Sequence, residues 1–323
     1  MITGGSSGIG LGIARVFHEA GMKVVIGYLD EQHIGDALKH FPEKDPRIHT
    51  IKHDVMDRDA WPRVADEIDK KFGGLQILVN NAGVGLQAPA STGTYKDWEW
   101  GLGVNLWGPI YGVHTYVPRM LASKQGAHIV TTTSTSGILP GSGAGVYTVS
   151  KIAAVALMEE LRHELRNTNI GTSAFIPGLT ATNIGQSESY RPAALKNDGP
   201  PALAPGAQPR GGGPGAGGPG GGGPRPPRAA PPADWPPAAI RPMDSMVAAR
   251  FVLDGILNND LFIVAEPEYR VGVEARCNAL LESCVQFKPL PAEMLKGNYL
   301  RTPIYVQEIA HRKATQVRNI TGT

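Results

Sequence analysis

Over its first 176 residues the chain alternates between two hydrophobic rhythms. Short apolar-rich runs at 23–27, 48–52, 75–79, 127–131 and 171–176 predict buried strands. Between them, 10–20, 31–40, 59–72, 96–123 and 150–167 carry apolar residues at helical spacing and predict amphipathic helices. Strands alternating with helices indicate a parallel sheet covered on both faces, and right-handed crossovers wind it in both directions. The expected fold class is α/β, a doubly wound, mostly parallel sheet with helices on both faces.

The rhythm stops after Lys196. Between 198 and 239 lie twelve of the 41 glycines and thirteen of the 27 prolines, and almost nothing able to form a core. Such composition predicts a disordered stretch or mobile loop. A helix is expected again at 244–258, a strand at 261–265 and a helix at 268–284, while the tail beyond Lys288 follows neither rhythm clearly. The chain thus divides into a core at 1–190 and a Gly/Pro-rich insert or mobile substrate loop at 191–243. A helix-strand-helix completes the same domain at 244–288, and a tail follows at 289–323. The first strand reads as truncated: two residues precede Thr3, whereas a strand needs roughly five. The expectation is a natural start upstream of Met1, with the chain as written poorly soluble or inactive.

Composition removes several functions. A net charge of +2, with basic residues scattered along the chain, argues against a nucleic-acid partner. No run of eighteen apolar residues and no signal peptide are visible, so no membrane partner and a cytoplasmic location are expected. Cys277 and Cys284 lie seven residues apart on one predicted helix, about 10 Å and too far for a disulfide. Reduced, buried packing thiols are expected there. The nine histidines show no ligand spacing, so no metal is expected.

Chemistry enters with four short motifs. Thr3-Gly-Gly-Ser-Ser-Gly-Ile-Gly10 stands directly before a helix. Its glycines let the backbone turn tightly and approach a pyrophosphate, which the helix N-terminus attracts. Alone, such a turn is an ordinary loop about half the time. In His53-Asp-Val55 the Asp54 carboxylate could accept a bond from an adenine amino group. The small residues of Asn80-Asn-Ala-Gly83 admit a cofactor ribose. All three turns stand at carboxyl ends of strands, where open sheets bind ligands, and the sheet then reads as Rossmann-like. Tyr147-Thr-Val-Ser-Lys151 places a phenol and an ammonium on one helix face. A free tyrosine titrates near pH ~10. A neighbouring ammonium and a positively charged nicotinamide would lower that, letting Tyr147 take or return a hydroxyl proton. A lone pair of this kind is usually a helix-surface feature.

In this order the motifs resemble the short-chain dehydrogenase/reductase family, non-extended branch, over roughly 1–190 and again over 244–265. The resemblance implies an oxidoreductase using NAD or NADP. It implies cofactor contacts from Thr3, Gly4, Ser6, Ser7, Gly8, Ile9 and Gly10 in the first turn. Tyr28 and Asp30 would follow after the next strand, then Asp54 and Val55, then Asn81, Ala82 and Gly83. Pro177, Gly178, Thr180 and Thr182 would meet the nicotinamide carboxamide. The catalytic serine falls on Ser134, thirteen residues before the tyrosine, with Ser136 as its rival. Ser134 would hold the substrate oxygen, Lys151 the ribose hydroxyls, and Asn105 a water linking Lys151 to solvent.

Cofactor choice rests on the end of the second strand, where Tyr28, Leu29 and Asp30 offer no cation for a 2′-phosphate. NAD is the expectation over NADP. The small residues between Ser134 and Tyr147 suggest room for a bulky substrate. Stretches 54–58, 141–145 and 261–270 resemble the dehydrogenases of aryl-ether benzylic alcohols. A small-molecule secondary alcohol or ketone, aromatic in character, is expected. Trp98, Trp100 and Trp107 read as core or subunit-contact residues, and a homodimer or homotetramer is expected. The alternatives are a cofactor-binding scaffold or damaged gene product without turnover, or an epimerase or dehydratase using bound nicotinamide.

Overall fold

The computed structural model describes residues 1–141, 143–199, 242–284 and 302–315. Within them, the apolar runs form parallel strands β1 (Val24–Tyr28), β2 (Ile48–Lys52), β3 (Ile77–Asn80), β4 (Ala127–Thr132), β5 (Ile170–Ile176) and β6 (Phe262–Val264). β1 pairs with β2, and β3 to β6 pair in sequence order. The two groups are joined through residues 1–3. Ile2 bridges Ile26 on one side and Val79 on the other; its amide donates to the Val25 carbonyl (2.9 Å), and the Thr3 amide to Val79 (3.0 Å). The sheet's central position is therefore held by a two-residue stub, buried like the strands it joins.

Side chains alternate across the sheet, so neighbours on one strand serve different cores. Leu78 and Ile129 face one side with Trp61, Trp100, Tyr116 and Met158. Val79 and Val130 face the other with Ile13, Phe17, Phe175 and Val252. Helices α1 (Gly8–Glu19), α2 (Glu31–Leu38) and α7 (Ser245–Asn258) serve the second core; α3 (Ala60–Phe72), α4 (Tyr95–Leu102), α5 (Gly108–Ser123) and α6 (Gly145–Glu164) serve the first. α1 and α7 touch backbone to backbone: a side chain at Gly12 would stand 2.4 Å from the Ser245 carbonyl oxygen. Among the described residues no helix is long and apolar enough to cross a membrane.

Several expectations change. The single helix read at 96–123 is interrupted by a π-helical segment, Gly103–Trp107. The helix read from 150 begins at Gly145, so Tyr147 lies inside it. Within 191–199, placed in the insert, Arg191 and Leu195 are buried. Arg191 is buried in an ion pair with Asp97 (2.5 Å), and its guanidinium lies 4.9 Å above the Trp100 ring. Most of the Gly/Pro-rich stretch, at 200–241, lies outside the described residues. Cys277 and Cys284 are exposed free thiols. Cys277 lies in α8 (Arg270–Glu282) and Cys284 past its end; the helix buries no residue, because Arg270, Glu274, Arg276 and Glu282 break any apolar stripe. A further helix, α9 (Pro303–Ala314), lies in the unassigned tail and docks against β6. Glu308 Oε2 accepts from the Leu261 amide (3.2 Å), Arg312 donates to the Phe262 carbonyl, and Tyr305 stacks on Phe262.

Candidate active site

The Gly-rich turn runs from the stub into α1. Gly4 (φ 59°) and Gly8 (φ 51°) adopt the left-handed conformation that glycine tolerates without strain. A side chain at Gly10 would collide with the Gly4 carbonyl at 2.2 Å, so that glycine lets α1 press onto its own turn. Ser7 occupies the N-cap in extended conformation, and its hydroxyl does not cap the helix. The first-turn amides are thus without that partner, suited to an anion. Ser6 is buried, and Ser7 and Ile9 are half-buried along the turn. These features fit a cofactor pyrophosphate.

Thr3 and Asn81 spend their side chains on each other's backbone. The Thr3 hydroxyl accepts from the Asn81 (2.9 Å) and Ala82 (3.0 Å) amides. Asn81 Nδ2 donates to the Thr3 carbonyl (3.1 Å), and Asn81 Oδ1 accepts from Thr132 Oγ1 (3.1 Å). Their contribution is to clamp the turn against the ends of β3 and β4. At the end of β1, Asp30 caps α2, accepting from the His33 amide (2.9 Å), so one carboxylate oxygen is already engaged. The adjacent Glu31 pairs with Lys52 (2.9 Å). Burial and then Glu31 push the Tyr28 phenol up. Val55 is buried against Gly108, while Asp54 is exposed and accepts from the Met56 amide (2.9 Å).

Tyr147 and Lys151 lie one turn apart on α6, facing the end of β4. Ser134 begins the 3₁₀ turn Thr135–Gly137; its Oγ accepts from the Ser136 amide (3.1 Å), and its side chain hydrogen-bonds Tyr147. Of the two rival serines, it is Ser134 that meets the tyrosine. Lys151 is buried, and its Nζ donates to the Thr132 carbonyl (3.0 Å) and stands 5.6 Å from the Tyr147 ring centroid. Burial pulls its pKa down to about 8. Burial pushes Tyr147 up, and the bond to Ser134 opposes this. The ammonium faces the Tyr147 ring and the Thr132 carbonyl.

Asn105 sits in the π segment. Its Oδ1 accepts from the Val84 amide (2.9 Å), and its Nδ2 donates to the Val84 carbonyl (3.0 Å) and Ser150 Oγ (3.2 Å). Both Nδ2 protons are thereby used, while Oδ1 keeps a second lone pair able to accept from a water. Gly83 lies between them: a side chain there would stand 3.3 Å from Asn105 Oδ1 and 3.4 Å from Lys151 Nζ. The Pro177 carbonyl accepts from the Thr135 amide (3.0 Å), tying the end of β5 to the Ser134 turn. Thr180 bridges Met243, and Thr182 lies directly over Gly8. Beyond it, Tyr190 meets His33 across the cleft (3.2 Å). Thr132 and Tyr190 escaped the sequence reading, for neither belongs to a motif.

The wall between Ser134 and Tyr147 is less roomy than its composition suggests. Gly137 and Gly145 are small because the Lys151 backbone (2.9 Å) and the Ala90 amide (2.2 Å) stand where side chains would be; Gly141 and Gly143 face open space.

This geometry agrees with the comparisons. The short chain dehydrogenase family model matches residues 1–192, and the chain belongs to that family. It is an enzyme class that moves hydride between NAD(P) and alcohols or ketones. A C alpha-dehydrogenase from Sphingobium sp. is 33% identical over 291 residues, covering 90% of this chain and 87% of that one. Among solved structures, a short chain dehydrogenase/reductase from Burkholderia phymatum in complex with NAD is 26% identical with a TM-score of 0.73, covering 90% of this chain and 96% of that one. The apo form of LigD from Sphingobium sp. strain SYK-6 is 30% identical with a TM-score of 0.67, covering 88% and 97%.

Proposed function

We propose that the protein transfers hydride reversibly between NAD and an aromatic secondary alcohol, with Tyr147 as general acid/base. The observation that carries this reading is the hydrogen bond between Tyr147 and Ser134 above a buried Lys151, beside the Gly-rich turn. The cofactor supplies the hydride acceptor or donor. Ser134 holds the substrate oxygen and stabilises the charge that develops on it, while Tyr147 takes the proton in oxidation and returns it in reduction. An ammonium has three donors, and Thr132 takes one from Lys151; the others suit ribose hydroxyls. Asn105, fixed by Val84 and Ser150, would hold a water leading to Lys151.

Preference for NAD is supported by the end of β1. Asp30 and Glu31 repel a 2′-phosphate there, and the neighbouring Lys52 is already paired. The aromatic substrate is supported by the resemblance of stretches 54–58, 141–145 and 261–270 to the dehydrogenases of aryl-ether benzylic alcohols. Formation of reduced nicotinamide, followed by absorbance with benzylic alcohols, tests the reading. Wild type should turn over with NAD faster than with NADP, and Tyr147→Phe should keep cofactor affinity while losing at least about a hundredfold in rate. Retained activity in that variant removes Tyr147 from its role. Cofactor binding with no turnover by wild type would favour a scaffold.

A further inference from the structure

The reacting groups and the cofactor turns stand at the carboxyl ends of the strands. At the opposite ends, where β3, β4 and β5 begin with Ile77, Ala127 and Ile170, the surface sinks into a hollow of about 580 Å³. Its walls come from the residues around the end of α6, from the end of α7 and from Gln307 on α9. Small-molecule sites commonly enclose roughly 300–1,000 Å³, so the hollow has the size of one. Leu165 and Ile256 join Ile77 and Ile170 to give it an apolar side.

Among the described residues its charged lining is Arg162 and Arg166, with no carboxylate. Arg162 is fixed in place: Nε donates to Thr172 Oγ1 (3.1 Å), and Nη2 to the Thr172 carbonyl and to both side-chain and backbone oxygens of Asn259 (3.1 Å each). Its Nη1 has no hydrogen-bond partner among the described residues. Arg166 is exposed and gives one bond, from Nη1 to the His163 carbonyl (2.8 Å). Two carboxylates act on Arg162 from outside this lining, and both are already paired: Glu308 with Arg312, and Asp260 with Arg312 and His311. His128 adds an acceptor. It is 6% exposed; its Nε2 lies 2.8 Å from Ser173 Oγ, which lies 2.5 Å from the Asp260 carbonyl. A hydroxyl has one proton and a carbonyl only accepts, so Ser173 donates to Asp260 and accepts from Nε2–H. Burial, then Arg162, hold the ring neutral by pulling its pKa to about 3. Nδ1 is therefore a bare acceptor, and no group among the described residues donates to it. A side chain at Gly171 would stand 2.4 Å from this nitrogen, so glycine is what leaves it uncovered. A buried acceptor without a donor is costly, and a ligand that brings the donor removes the cost.

We propose that this hollow is a second ligand site, for a small organic acid with an apolar body. The carboxylate pairs with Arg162 and Arg166, a hydroxyl elsewhere on the molecule donates to His128 Nδ1, and the body lies on the isoleucines and Leu165. The length of the strands separates this site from Tyr147 and the Gly-rich turn, so its occupant is neither substrate nor cofactor of the hydride transfer. The assignment does not depend on the reading of the active site.

The probes are 3- and 4-hydroxybenzoate, with benzoate lacking the donor and phenol lacking the charge. The carbon bearing a phenolic hydroxyl has no hydrogen to give as hydride, so none of the four turns over there. Binding is read from protein fluorescence and from the rise in melting temperature. Wild type should bind the better hydroxybenzoate roughly tenfold or more tightly than either benzoate or phenol. Saturating NADH should leave that affinity within about twofold, as expected of uncoupled sites. Arg166→Ala, at an exposed position, should lose roughly tenfold in hydroxybenzoate affinity while binding NADH and turning over as wild type does. His128→Leu should bring hydroxybenzoate down to the level of benzoate. Where that variant does not fold, the comparison of hydroxybenzoate with benzoate in wild type carries the same test. Equal affinity for hydroxybenzoate and benzoate in wild type overturns the proposal, as does an affinity unchanged in Arg166→Ala. Competition between hydroxybenzoate and a benzylic alcohol also overturns it, by placing the acid in the active site. Inorganic phosphate bound as tightly as hydroxybenzoate, and lost equally in Arg166→Ala, would overturn the organic acid and leave a site for simple anions.

Discussion

Replacing Lys151 with Met should stabilise the protein while destroying its activity. The Lys151 side chain is 3% exposed, and burial lowers its pKa from the ordinary 10.5 to about 8. At about 1.4 kcal/mol per pKa unit, the folded state pays roughly 3 kcal/mol at neutral pH to keep this ammonium charged. Methionine has similar length and no charge. It forfeits the bond to the Thr132 carbonyl, worth about 0.5–1.5 kcal/mol, so a net gain of about 2 kcal/mol remains. Denaturant titration at pH 7 should show it, and the melting temperature should rise by roughly 4–8 °C. The sign of the pH dependence is fixed. Between pH 8 and 10.5 the unfolded wild type keeps a proton that the folded form has lost, so wild-type stability rises with pH and the gap to Lys151→Met closes. A variant less stable than wild type at pH 7, or a gap of the same size at pH 7 and pH 10, would refute the argument.

Arg191→Ala should cost about 3–5 kcal/mol in denaturant titration, because it leaves Asp97 buried without its cation. Burial pulls Asp97 up, but its bonds to Arg191, Asn197 and Thr94 more than offset that and hold it below the usual carboxylate range. The wild-type stability this provides should therefore be lost as the solution is acidified below the ordinary aspartate range, and Arg191→Ala should show less of that loss. Trp107 is 49% exposed and stacks on Tyr111 with centroids 5.8 Å apart. If this face joins subunits, light scattering should find a dimer or tetramer in wild type and a monomer in Trp107→Glu; a wild-type monomer at micromolar concentration ends that expectation. NAD should exceed NADP in kcat/KM, and the reverse would mean that a cation such as Arg15 reaches the 2′-phosphate.

The strands were legible because β1 to β5 are apolar-rich runs set between helical patterns, a signal carried by composition over several residues. The site was legible because its glycines and its Tyr-x-x-x-Lys pair are held at fixed spacing by one turn and one helix. What escaped depends on contacts between distant segments. The π segment at Asn105 inserts one residue into a helix whose apolar pattern continues on either side, and its partner Val84 lies twenty-one residues away. The orientation of Lys151 towards Thr132 follows from how α6 sits on β4. α9 buries only Ile304 and Glu308, too little to leave a periodic mark. The exposed cysteines were misread because free cysteine is usually buried, and that expectation outweighed the charges of α8, which leave it no apolar face.

α9 has a consequence for how copies of this chain can meet. A last strand with free amides and carbonyls is a template on which any extended chain can add itself, including an identical strand from another molecule. Here the Leu261 amide is taken by Glu308, the Phe262 carbonyl by Arg312, and the space alongside by the Tyr305 ring. With that border occupied, a neighbouring molecule cannot lengthen the sheet at β6 without first displacing α9. On this side of the sheet association must proceed through helical surfaces, whose side chains set partner and register. The same helix thereby withholds from crowded or partly unfolded chains a seam along which they would otherwise zip together.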